Sequence, residues 1–200
     1  KPIRTEGMDA AEHGLKVLSI SPDWSTIILD LGYQPATEDG LVPGLRILIA
    51  ELDCVLHNDF CDQGVTLKLP FAFPYDPEKE ENDPKPDLQL FWNTARNELV
   101  WMTSSKGESD GKSQKSHIVG WFELSAGENH IFERAWPENA ELVSISPDGN
   151  WLLYYGSSYP FPPRKTGYFA MSLEDEAVHH VVWDAPMSGF IQFYAWLTIP

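Results

Sequence analysis

Thirty aspartates and glutamates, six histidines and two cysteines give this chain of 200 residues ample reactive side chains. Their spacing decides which chemistry they could share. The histidines are His13, His57, His117, His130, His179 and His180. Imidazole is a common metal ligand, but adjacent residues on a strand point to opposite faces, so His179 and His180 cannot chelate one ion. No H-E-x-x-H helix motif and no paired C-x-x-C occurs. His57-Asn58-Asp59 with Asp62 makes a small polar cluster that an ordinary turn explains equally well. The runs Glu80-Glu81-Asp83 and Glu174-Asp175-Glu176 read as solvated loop charges, and no D-x-[DN]-x-[DN]-G calcium loop is present. G-x-S-x-G, the pentapeptide of α/β-type serine hydrolases, stands once, at Gly107-Glu108-Ser109-Asp110-Gly111, but in a Ser/Gly/Lys-rich stretch between strand candidates rather than at the strand-to-helix turn that chemistry needs. No P-loop and no G-x-G-x-x-G occurs. The expectation is a non-enzymatic chain with no cofactor and no metal.

Cys54 and Cys61 offer redox chemistry. Both lie in LDCVLHNDFCDQG, which reads as a strand end, a turn and the start of the next strand. A hairpin there brings two cysteines within disulfide range. A bridge implies an oxidising compartment, periplasmic or extracellular. Two unrelated free thiols are the alternative, and they imply the cytoplasm.

The elements that must position these residues repeat along the chain. Val17–Gly32, Leu88–Ser105 and Leu142–Ser158 each read as an apolar strand, a polar turn and a second apolar strand. Ser21-Pro22-Asp23 matches Ser146-Pro147-Asp148, and Asn93-Thr94-Ala95 stands in the middle copy. Pro fixes φ for a tight turn. Asp accepts a backbone N–H two residues on, and Asp148-Gly149 is a hairpin signal. Two further strand candidates follow each copy: 45–52 and 65–69, 117–124 and 129–133, 167–171 and 178–183. Four-stranded meanders of roughly 40–50 residues are the signature of propeller blades. The units run over about 15–70, 87–136 and 140–184, with a final strand at 188–200. Together they make a single domain.

The stretch Ser146-Pro147-Asp148-Gly149-Asn150-Trp151-Leu152-Leu153-Tyr154-Tyr155 resembles the WD40-like repeat of TolB-type propellers. The propeller domains of prolyl-oligopeptidase-like peptidases look similar. The resemblance implies an all-β, propeller-like fold and little about activity. Closed propellers need about four to eight blades, so it also implies an oligomer or a further chain segment that completes the ring. A β-sandwich is the alternative architecture. The first residue is Lys1, not Met, which leaves room for a leader or an upstream domain.

A formal charge of −16 repels phosphate backbones and anionic membranes. No apolar run of about 18 residues is present to span a bilayer. The expected partner is therefore a protein, with no nucleic acid and no membrane insertion. Eight tryptophans recur through the units, either as packing between units or as an exposed aromatic platform. Tyr159-Pro160-Phe161-Pro162-Pro163-Arg164 reads as a proline-stiffened loop, and Tyr159, Phe161 and Arg164 are the candidate partner-binding residues. The alternative is that Phe161 only closes the third unit. Residues 74–87, rich in Pro and acids, and 104–116, rich in Ser, Gly and Lys, read as loops. The runner-up reading of the whole is a non-catalytic propeller segment of a larger hydrolase or peptidase.

Overall fold

A computed structural model of the chain describes residues 16–34, 44–57, 65–71, 87–109, 112–134, 136–137, 139–157 and 166–181. They form an all-β protein with one short helix. Strands β1 (Lys16–Ile20), β2 (Thr26–Gln34), β3 (Gly44–Glu51) and β4 (Val65–Pro70) make the first sheet, with helix α1 (Leu52–His57) between β3 and β4. Strands β5 (Leu88–Asn93), β6 (Glu98–Ser109), β7 (Lys112–Glu123) and β8 (Glu128–Ile131) make the second. Strands β9 (Glu141–Ile145), β10 (Trp151–Ser157), β11 (Thr166–Ser172) and β12 (Val178–Val181) make the third. Every sheet is an antiparallel meander whose neighbours in space are neighbours in sequence. Three sheets are present among the described residues, where a sandwich has two. They fall within 15–70, 87–136 and 140–184; the segment 188–200 lies outside the described residues.

The sheets pack face to face in chain order. β6 shows how, because its apolar run is buried on both sides. Leu99 and Trp101 join Ile28, Ile47, Ile49, Leu67 and Leu69 of the first sheet. Val100 and Met102 join Leu152, Tyr154, Phe169 and Met171 of the third. The period of two along a strand sends alternate residues to alternate neighbours. Burying each such Leu, Ile or Met stabilises by roughly 1.5–3 kcal/mol. Gly120, opposite Trp101 in the β6–β7 ladder, leaves space for the indole: a Cβ there would stand 2.5 Å from the ring. The Trp101 Nε1–H, fully buried, donates to Asn129 Oδ1 at 2.9 Å.

The registers reveal that the three sheets use equivalent faces. In the third sheet, Ile145, Leu152, Tyr154, Phe169, Met171 and Leu173 pack toward the second. Their counterparts Trp92, Leu99, Trp101, Gly120, Phe122 and Leu124 face the first. The same places in the first sheet hold Ile20, Ile27, Leu29, Leu48, Ala50 and Leu52, a separate buried cluster that α1 joins through Leu52 and Val55. Adjacent first strands also touch: Trp92 Nε1–H donates to Ser19 Oγ at 2.9 Å, and Leu142 N–H donates to Gln89 Oε1 at 2.9 Å.

Two expectations need correction. Cys54 sits on α1, not on a hairpin. Leu52 and Val55 recur at helical spacing and cover the apolar face of the first sheet, which a strand could not do with both. Residues 104–109 and 112–116 are strand rather than loop: β6 and β7 stay paired to Ser109↔Lys112. Asp110-Gly111, the dipeptide that two-residue hairpins favour, stands between them in the sequence. Backbone pairing needs no apolar side chains, so the Ser, Gly and Lys content misleads there.

Candidate functional site

The turns that join the first two strands of each sheet carry the repeated polar residues. In the first, Ser21 is buried and its Oγ–H donates to Asp23 Oδ1 at 2.6 Å, while Thr26 N–H donates to Ser21 Oγ at 2.9 Å. Asp23 Oδ1 also accepts from Ser25 N–H at 3.1 Å. In the third sheet Ser146 Oγ–H donates to Asp148, Trp151 N–H donates to Ser146 Oγ at 2.9 Å, and Asn150 N–H donates to Asp148 Oδ1 at 3.2 Å. Pro22 and Pro147 are exposed at the next position, where no N–H is needed. The serine hydroxyl therefore satisfies one strand N–H and holds the aspartate, and the aspartate caps the turn.

The electrostatics follow. The Ser21 hydroxyl first, then the Ser25 N–H, hold the Asp23 carboxyl below its ordinary range. Ser146 and then the Asn150 N–H do the same for Asp148. A third aspartate behaves alike without matching the motif: Asp175, between β11 and β12, is lowered by the Ser172 hydroxyl and by the Ala177 N–H, which it accepts at 3.1 Å.

The middle turn is held differently. Asn93 takes the serine's place and is fully buried. Its Nδ2 donates to Glu98 Oε2 at 3.1 Å and, across the sheets, to Gly149 O at 3.0 Å. Burial raises the Glu98 carboxyl above its ordinary range, opposed by Arg96, whose Nε lies 3.2 Å from Glu98 Oε1, and by Asn93. The turn of the third sheet is thus seated on the turn of the second. Gly149 has φ of 74°, and a Cβ there would stand 2.5 Å from Asn93 Oδ1 and 3.0 Å from Ala95 Cβ.

A tie shared by all three units has no counterpart in the Ser-Pro-Asp motif. Leu52 N–H donates to Ser25 O at 2.8 Å, Leu124 N–H to Asn97 O at 3.2 Å, and Leu173 N–H to Asn150 O at 2.9 Å. Each links the end of the third strand back to the first turn. The recurring Leu at that place is the sequence signal.

The tryptophans divide. Trp101 and Trp136 are buried between sheets, and Trp136 lies in a run of rings from Phe132 at 6.2 Å to Tyr154 at 5.2 Å. Trp24, at the tip of the first turn, is 70 % exposed. His179 stacks edge-on against Trp151 while His180 lies over Phe169. The two imidazoles occupy opposite faces, as Trp151 and Phe169 do. Among the described residues no group of three or more His, Cys, Asp and Glu gathers as a metal site. No helix among them is long and apolar enough to cross a membrane. Tyr159, Phe161, Arg164 and Cys61 lie outside the described residues, so neither the loop nor the Cys54–Cys61 pair is placed. No protein-family model, no curated protein and no solved structure matches the chain.

Proposed function

We propose that this chain is a non-enzymatic, propeller-type module that binds another protein. The observation that carries the reading is the equivalence of faces: three chain-ordered meander sheets stack through the same register positions. That is the arrangement by which propeller blades succeed one another, and such scaffolds present loops for binding. The ring needs further sheets, from a second chain or another segment. The binding residues are Tyr159, Phe161 and Arg164, whose aromatic area and guanidinium are the groups that dominate interfaces. Cross-linking on the native protein identifies the partner, which is then reconstituted with purified Tyr159→Ala, Phe161→Ala and Arg164→Ala variants. Weaker affinity at unchanged melting temperature supports the loop; lower stability at unchanged affinity reduces it to packing.

The second reading, a non-catalytic propeller segment of a larger hydrolase, rests on the Ser146–Tyr155 resemblance. An open reading frame that continues past Pro200 into G-x-S-x-G favours it. The proposed compartment is extracytoplasmic, through a Cys54–Cys61 bridge that adds at most about 3 kcal/mol for so short a loop. Intact mass under denaturing, non-reducing conditions tests this: two alkyl groups taken up without reductant mean free thiols and a cytoplasmic protein.

A further inference from the structure

Trp24 is costly where it stands. Its φ of 61° is left-handed, a region that bulky residues rarely adopt and that costs roughly 1–2 kcal/mol. The same place in the third sheet holds Gly149, which adopts φ of 74° without that penalty. Nothing in the turn's hydrogen bonding needs an indole. Ser21, Asp23 and the backbone make those bonds, and Trp24 contributes only its N–H, given to Ser21 O at 2.9 Å. Burial offers no return either, since the residue is 70 % exposed. A strained backbone kept at an exposed aromatic points to a role outside the fold.

The surroundings indicate the kind of partner. The ladder pairs Thr26 with Glu51, and Leu52 N–H bonds Ser25 O, so the start of α1 adjoins the Trp24 turn. Carboxylates crowd this end: Asp23 and Glu51 are exposed, and the Asp53 side chain is 88 % exposed with His57 Nδ1 at 2.8 Å. Neither 21–27 nor 51–57 contains Lys or Arg. Leu56, on α1, is 67 % exposed. An exposed indole on a turn flanked by Asp23, Glu51 and the His57-paired Asp53 is an environment that attracts ammonium or guanidinium groups, and desolvating the cation there strengthens the attraction. The chain's −16 charge would steer such a ligand inward.

We infer that the Trp24 turn and the start of α1 form a docking surface for a basic peptide segment of another protein, one Lys or Arg of which lies over the Trp24 ring. The proposal rests on the reading of the chain as a protein-binding module and adds the chemistry of the partner.

The test uses the whole chain, fluorescent decalysine and decaarginine peptides, and about 0.15 M salt, where weak surface attraction is largely screened. Fluorescence anisotropy reads the affinity, and a thermal melt reads the fold. Trp24→Gly is expected to weaken binding roughly tenfold or more while the melting temperature holds or rises. Trp24→Phe keeps a ring and is expected to retain most of the binding. Asp53→Asn and Glu51→Gln are expected to weaken binding and flatten its salt dependence. Equal affinity in Trp24→Gly overturns the proposal, and so does wild-type protein that binds neither peptide. Self-association lost in Trp24→Gly without peptide binding overturns it in favour of a second copy of the chain. None of these failures touches the Tyr159–Arg164 loop, whose own test is separate.

Discussion

Two turns of the molecule make the same hydrogen bonds and differ in one residue. Ser21-Pro22-Asp23-Trp24 and Ser146-Pro147-Asp148-Gly149 share the serine that accepts a strand N–H and the aspartate that caps the turn. Both fourth residues have positive φ. Gly149 is pressed against Asn93, Ala95 and Arg96 of the preceding sheet, whereas Trp24 stands exposed. The turn chemistry is therefore a property of the unit, and the fourth position is a property of what the unit meets. Against the second sheet the position holds glycine; on the first sheet it carries a large exposed side chain.

Substituting the buried member is expected to have the largest effect. Gly149→Ala adds a Cβ with no room and a left-handed penalty, and should cost roughly 2–5 kcal/mol in urea unfolding. A loss under about 1 kcal/mol would break the comparison. Ser21→Ala and Ser146→Ala should each cost roughly 1–3 kcal/mol, because a strand N–H loses its acceptor in a buried site. The two values should agree closely, and a large gap between them would show that the turns are not equivalent. Trp24→Gly should stabilise by at most about 1 kcal/mol, through relief of the backbone; destabilisation would mean that the ring packs.

The smallest effect is in the pH dependence. Glu98 is raised, so its contribution is full at low pH and is lost as pH rises through its raised value. Asp23, Asp148 and Asp175 are lowered, so theirs is present above about pH 4 and is lost as pH falls further. The stability of wild type relative to Glu98→Gln should therefore increase as pH falls through that raised value toward the ordinary glutamate range. A flat difference across that range would remove Glu98 from the account.

What the sequence revealed follows from how each feature is encoded. Ser21-Pro22-Asp23 and Ser146-Pro147-Asp148 are legible because a specific side chain makes each bond. Asn93 is not, since an amide that reaches a neighbouring glutamate and another sheet replaces the hydroxyl. The strand order was readable from short apolar runs separated by turns. Helix α1 was missed because six residues offer fewer than two helical periods, and because Leu52 also ends a strand-like alternation. The paired ribbon from Ser104 to Ser116 was missed because its cohesion is backbone to backbone. Trp24 was visible only as one of eight tryptophans. Its distinguishing sign was alignment with Gly149, a large residue where its sister turn has none.

The meander topology bears on how the chain assembles during synthesis. Every strand pairs with one beside it in sequence, so each sheet can form from a short stretch without waiting for distant segments. The middle sheet cannot finish that way. Leu99 and Trp101 wait on a neighbour already made, and Val100 and Met102 on one still to come. A ribosome releasing this chain from its N-terminus would expose one apolar flank of the middle sheet until the strands from Glu141 onward emerge. That interval is when the nascent protein is most open to capture by a chaperone or by another unfinished copy.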